Sequence, residues 1–146
     1  MSESFELSRA ECEELLRAGI AGRVALVALD GPHILPINYA VVDDAIVFRT
    51  SPYSLLGTHG RDATLAFEID QFDYENQRGW SAVARGRSQV VRDQEELEHI
   101  RAVWSPHPWA SGVRPLFIRL PIRELTGRRL GRGWDPFDQL PVRRSL

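Results

Sequence analysis

The chain has 146 residues, a formal net charge of −2 and a hydrophobic fraction of 43%, which suits one soluble domain with a core of its own. It contains no lysine and one cysteine, Cys12, which excludes lysine Schiff-base chemistry, an internal disulfide and a multi-cysteine zinc site. The near-neutral charge argues against a general nucleic-acid binder, and no run approaches the roughly 20 apolar residues that a membrane span needs.

The polar, acidic opening reads as neither a signal nor a transit peptide, so a cytoplasmic location is expected. Residues 7–18 are predicted to be a helix. Ser8 is its N-cap, Glu11 completes a capping box, and Leu7, Cys12, Leu15 and Leu16 form the apolar face. Gly19 ends it. The acids around Cys12 should raise its thiol pKa and keep it unreactive.

Strands follow. Residues 23–29 form the first, and Asp30-Gly31-Pro32 the turn of a hairpin. Residues 33–42 form the second, where Pro36 demands an edge position or a bulge because it cannot donate to a ladder. Residues 45–50 form the third. A short helix is then expected, capped by Ser51 with Pro52 at its first position and ending at Gly60. Residues 64–70 and 80–91 read as strands flanking a polar loop at 71–79, the second bending at Gly86. Residues 93–104 read as a helix capped by Asp93 with Glu96 three residues on. A loop follows at 105–109. Residues 116–130 hold one bent strand or two short ones, interrupted at Pro121, and the chain after Gly131 forms a loosely packed tail. Short turns between consecutive strands imply antiparallel pairing, and six or so strands suggest a closed barrel. The expectation is a single domain over 1–146, mainly β with flanking helices.

Several segments in this order resemble the pyridoxamine 5′-phosphate oxidase family. Gly22-Arg23-Val24-Ala25 with Pro32-His33-Ile34-Leu35-Pro36-Ile37-Asn38-Tyr39 is similar to the family's first hairpin. Residues 47–55, Val-Phe-Arg-Thr-Ser-Pro-Tyr-Ser-Leu, resemble the strand and helix that hold a flavin phosphate. Residues 66–70 and 79–87 are similar to the next strand pair, and residues 117–120 and 124–129 to the closing strand. The likeness covers about residues 7–130. It implies an FMN-binding split β-barrel with Greek-key-like antiparallel strands, working as a homodimer with the cofactor between subunits. The family's chemistry implies a flavin-dependent oxidoreductase acting on a small molecule. A deazaflavin reductase, or a non-catalytic flavin or haem carrier, is the alternative, because a fold carries over more safely than a reaction.

The candidate cofactor residues fall into three groups. Arg49, Thr50 and Ser54 offer a guanidinium, hydroxyls and a helix start to a phosphate. An exposed arginine followed by ordinary capping is the competing reading. Leu55 stands where many relatives have a lysine, so Arg49 or Arg61 compensates, the cofactor is held weakly, or the cofactor is a different one. Pro36, Ile37 and Asn38 resemble the segment along the flavin ring; a bulge proline with a turn-facing asparagine is the competing reading. Trp80, Ser81, Arg85 and Arg87 form the third group. Trp80 is expected at the cofactor or as an interface anchor. Arg85 and Arg87 share one face of a strand and either reach a phosphate across the dimer or are simply solvated. His33, His59, His99 and His107 show no metal spacing, and no catalytic residue stands out.

Overall fold

A computed structural model describes residues 4–104, 115–131 and 135–139. The chain opens with a short strand β1 (Ser4–Glu6) and helix α1 (Arg9–Ala18). The Ser8 capping box forms as expected: Ser8 accepts from the Glu11 N–H, and the Glu11 carboxylate accepts from the Ser8 N–H. Cys12, Leu15 and Leu16 are buried, so the helix is held by its apolar face.

A hairpin follows, β2 (Ala21–Ala28) and β3 (Gly31–Asn38), in register from Ala21 opposite Asn38 to Ala28 opposite Gly31. The strand expected over 33–42 breaks at Tyr39. Its N–H donates to the Ile20 carbonyl and its hydroxyl to the Leu16 carbonyl, at 3.0 and 2.6 Å. The chain therefore leaves one sheet and enters another as β4 (Ala40–Val42), which pairs with β5 (Ala45–Thr50). Helix α2 (Leu55–His59) is shorter than expected. Ser51-Pro52-Tyr53 forms a turn, closed by the Ser54 N–H on the Ser51 carbonyl, and Ser54 rather than Ser51 is the cap.

Next come β6 (Thr64–Asp73) and β7 (Arg78–Arg87), joined by a tight turn at 74–77 where a longer loop was expected. A further break at Ser88 separates β7 from β8 (Gln89–Val90). The fully buried Ser88 hydroxyl donates to the Gly60 carbonyl at 2.5 Å and accepts from the Ala63 N–H at 3.0 Å. Gly86, where the bend was expected, instead admits the Pro121 carbonyl, which would lie 2.1 Å from an added Cβ. Helix α3 (Gln94–Val103) is capped by Asp93 on the Glu96 N–H. Two strands close the fold, β9 (Leu116–Pro121) and β10 (Glu124–Leu130), and a 3-10 turn at Pro136–Gln139 packs Phe137 on the core.

All pairings are antiparallel. β1, β10, β7, β6, β2 and β3 make a six-stranded sheet in that order, and β4, β5, β9 and β8 a four-stranded one. The expected closed barrel of six or so strands is thus corrected to two sheets with open edges among the described residues. β3 is an edge strand, which is how Pro36 is tolerated. Phe67 of the larger sheet meets Tyr39 and Phe48 at ring-centre distances of 4.6 and 5.4 Å. Burying each such ring contributes roughly 1.5–3 kcal/mol, so this cluster clamps the sheets together. A second cluster, of Val42, Val47, Phe117, Ile100 and Trp104, seats α3 on the outer side of the smaller sheet. Arg119 donates to Glu96 at 2.5 Å across the same contact.

Candidate functional site

The edge of β3, the end of β5 and the start of α2 enclose a pocket of about 310 Å³. Leu35, Pro36, Ile37 and Asn38 form one wall, Arg49, Thr50, Ser54, Leu55 and Leu56 the other, and Trp104 closes one side. Two of the three predicted groups therefore meet, although about ten residues of chain separate them. They meet because β3 ends its sheet while β4 and β5 start the next, so the bend at Tyr39 folds one segment beside the other. An edge strand leaves half of its backbone polar groups unpaired with another strand, and here Trp104 and the end of β5 face that edge.

Arg49 is half-buried and is the one charged side chain among the described residues that line the pocket. Its guanidinium carbon lies 5.5 Å from the centre of the Phe117 ring, its cross-strand partner on β9. That stacking holds a long side chain in place at modest entropic cost.

The hydroxyls divide the work. Ser54 Oγ accepts from the Gly57 N–H at 2.9 Å and donates to the Ser51 carbonyl at 2.7 Å. Thr50 Oγ1 lies 2.7 Å from Ser54 Oγ. A serine hydroxyl has one proton to give. While that proton serves Ser51, Thr50 is the donor to Ser54 and has none left for a ligand. If Ser54 turns its proton to Thr50, the Ser51 carbonyl keeps its bond from the Ser54 N–H at 3.1 Å, and the buried Thr50 hydroxyl is released. Ser54 is then a helix cap first, and Thr50 is the group that can reach an anion. Gly57 permits the turn to close: a Cβ there would sit 2.1 Å from the Ser51 carbonyl oxygen.

Leu55 lines the pocket. Arg61 is not among the described residues that line the pocket; its Nε donates to the Gly57 carbonyl of α2.

The third group stands apart in the single chain. Trp80 is 2% exposed and packs in the main core with Ala82 and Ala84, so in the single chain its ring presents little area to a partner. Its Nε1 is buried with no acceptor. Ser81, Arg85 and Arg87 project from the opposite face of β7. Arg85 pairs with Glu124 at 3.6 Å and Arg87 with Asp62 at 2.9 Å. None of these three is among the described residues that line the pocket beside Arg49. Ser81 lines a larger cavity, of about 490 Å³, by Glu6, Leu125, Thr126 and Arg128. There Glu6 and Arg128 are opposite each other across β1 and β10, so the lining carries both signs of charge.

The sequence reading missed Trp104. Nothing local marks it; its place depends on how α3 docks. The remaining candidates stay outside the pocket. Cys12 is fully buried, and burial first, then Glu11, pushes its thiol up. His33 contacts Asp30 and His99 contacts Asp43, and His107 lies outside the described residues. No metal-ligating cluster occurs among the described residues.

The family model for pyridoxamine 5′-phosphate oxidase matches residues 8–129, a span that takes in every wall of this pocket. The chain belongs to the pyridoxamine 5′-phosphate oxidase family. An uncharacterized protein of Mycobacterium tuberculosis is 30% identical over 133 residues, covering 88% of this chain and 86% of its own. Among solved structures, the FAD-binding protein of Mycobacterium smegmatis is 29% identical with a TM-score of 0.71, over 85% of this chain and 96% of that one. A candidate pyridoxamine 5′-phosphate oxidase from Corynebacterium glutamicum is 26% identical with a TM-score of 0.72, over 90% and 96%. The family's fold is thereby present, mainly β with few helices.

Proposed function

We propose that the chain is a flavin-binding oxidoreductase of this family, with the flavin phosphate at Arg49 and Thr50. The carrying observation is a pocket whose lining, among the described residues, is mostly apolar with one half-buried cation and no acid. That donor set fits the group: a guanidinium and a hydroxyl suit a phosphate, and Leu35, Pro36, Ile37 and Trp104 suit a flat ring. Asn38 can both donate and accept at the ring edge. A bound flavin supplies hydride or electron transfer, and the protein binds it, orients it and excludes water. The name of the M. smegmatis relative favours FAD over the FMN first expected; a deazaflavin is the remaining relative of that chemistry.

At about 310 Å³ the pocket is at the small end for a ligand site, so part of a flavin would lie outside it. A homodimer would supply the missing wall. The outer face of the larger sheet suits that role, since Val27 and Ile34 are 70% and 69% exposed beside Ala25 and Ala66. No helix among the described residues is long and apolar enough to cross a membrane, and a cytoplasmic place for the reaction is part of the same proposal.

The test is the absorbance spectrum of the purified protein, followed by titration with FAD and FMN. Flavin bands on the protein, or binding at micromolar Kd or tighter, support the reading. A colourless protein that binds neither overturns it. Leu55 favours a second reading, a carrier that binds flavin or haem without turnover. Tight flavin binding with no reduction by any nicotinamide donor would favour that reading.

A further inference from the structure

The larger sheet has two edges, and the pocket beside Arg49 borders only one of them, β3. The cavity of about 490 Å³ lies toward the other, on β1, β10 and β7. It is of ligand-binding size and shares no lining residue with the first pocket.

Its polar groups come from neighbouring positions. Glu6, Arg128 and Ser81 are successive cross-strand partners on β1, β10 and β7. Thr126 and Val83, two residues along their strands on the same face, are partners of each other. Nearby charges on this face are closed into pairs. Arg85 faces Glu124, and Arg23 takes both Glu68 and Asp70, the cross-strand partner of Ser81. Glu6 and Arg128 differ. They are directly opposite each other, yet among the described residues neither side chain forms an ion pair or a hydrogen bond. The Ser81 and Thr126 hydroxyls likewise have no hydrogen-bond partner among the described residues.

The backbone beneath these groups is pinned. The Leu7 N–H donates to the Gly127 carbonyl at 2.9 Å, and Gly127 packs so closely that an added Cβ would lie 2.6 Å from Cys12 Sγ. A carboxylate and a guanidinium thus stand open to each other on a fixed surface, with two hydroxyls beside them. A plain anion here meets Glu6, and a plain cation meets Arg128. A molecule that carries both an ammonium and a carboxylate answers both charges at once, and an apolar body on it covers Val83.

We propose that this cavity binds a zwitterionic small molecule, an α-amino acid with a large apolar side chain, with its carboxylate on Arg128 and its ammonium on Glu6. The site is separate from the flavin pocket, and the proposal does not depend on the flavin reading.

The test is calorimetric titration of the full-length protein with L-phenylalanine, phenethylamine and 3-phenylpropanoate, repeated on Glu6→Gln and Arg128→Gln. Both positions are exposed, and thermal denaturation checks that the variants fold. The parent should bind phenylalanine with a Kd of about 1 mM or tighter, and each one-charge analogue about tenfold more weakly or worse. Each variant should lose about tenfold or more in phenylalanine affinity. The analogues should separate the two: Arg128→Gln weakens the acid and spares the amine, and Glu6→Gln weakens the amine and spares the acid. No binding of phenylalanine by the parent overturns the proposal. So does equal affinity for the acid alone, which would mean a plain anion site, and so do variants that bind phenylalanine as the parent does. Flavin titration of the same samples reads the other pocket, so failure of either reading is seen on its own.

Discussion

The junction of β5 with α2 and the strand β7 both carry arginines, and they use them differently. At the junction Arg49 is half-buried, stacked on Phe117, and lines a pocket with no acid among its described lining residues. On β7 Arg85 and Arg87 are largely exposed, and each faces a carboxylate, Glu124 and Asp62. The Arg49 guanidinium stacks on an aromatic ring, whereas those of Arg85 and Arg87 are set against carboxylates. Exposed pairs of the second kind contribute about 0–1 kcal/mol to stability. The same residue type thus lines a pocket in one region and a solvated surface in the other, and the surroundings decide which.

The largest effect expected from this contrast lies at Trp80. Trp80→Ala should cost about 3–5 kcal/mol of stability, as removal of a large core side chain does, read by denaturant or thermal unfolding. Trp80→Phe should stay close to the parent in stability and leave flavin affinity within twofold. A tenfold affinity loss at unchanged stability would place Trp80 at the cofactor and break the division between the two regions.

Arg49→Gln comes next. Losing a charge-assisted contact of roughly 1.5–3 kcal/mol lowers flavin affinity by one to two orders of magnitude. Calorimetric titration measures the loss, and the melting temperature should barely move. The paired change Arg87→Gln should leave affinity within twofold if β7 serves no phosphate within the same chain.

Leu55→Lys adds a cation to the pocket wall and should tighten flavin binding by about tenfold. An unchanged Kd would mean that position 55 does not face the phosphate.

The smallest effect belongs to Ser54→Ala. It removes the cap of α2 and should cost about 1 kcal/mol of stability. Affinity should fall less than in Thr50→Val, since Thr50 is the hydroxyl that can turn toward an anion.

Local signals made much of this legible. The Ser8 capping box, the Asp93 cap, Pro36 on an edge strand and the two segments that wall the pocket could all be read from short stretches. Each depends on residues near one another in sequence. The period-two pattern on β7 was also readable. Trp80, Ala82 and Ala84 share one parity and Ser81, Arg85 and Arg87 the other, so Trp80 belongs with the small apolar residues of the core face. The position of Trp104 was not readable, because it depends on where α3 docks on the smaller sheet. The breaks at Tyr39 and Ser88 were missed for a similar reason. Each is held by hydrogen bonds to segments about twenty residues or more away, from Tyr39 to Ile20 and Leu16 and from Ser88 to Ala63 and Gly60. Those breaks turn the expected barrel into two sheets.

The most direct test of the central claim is a crystal structure of the protein with FAD. The account predicts phosphate oxygens within hydrogen-bond distance of the Arg49 guanidinium and the Thr50 hydroxyl, with the flavin ring along Pro36, Ile37 and Asn38. Phosphates held instead by Arg85 and Arg87 of the same chain, with the pocket beside Arg49 filled only by solvent, would contradict it.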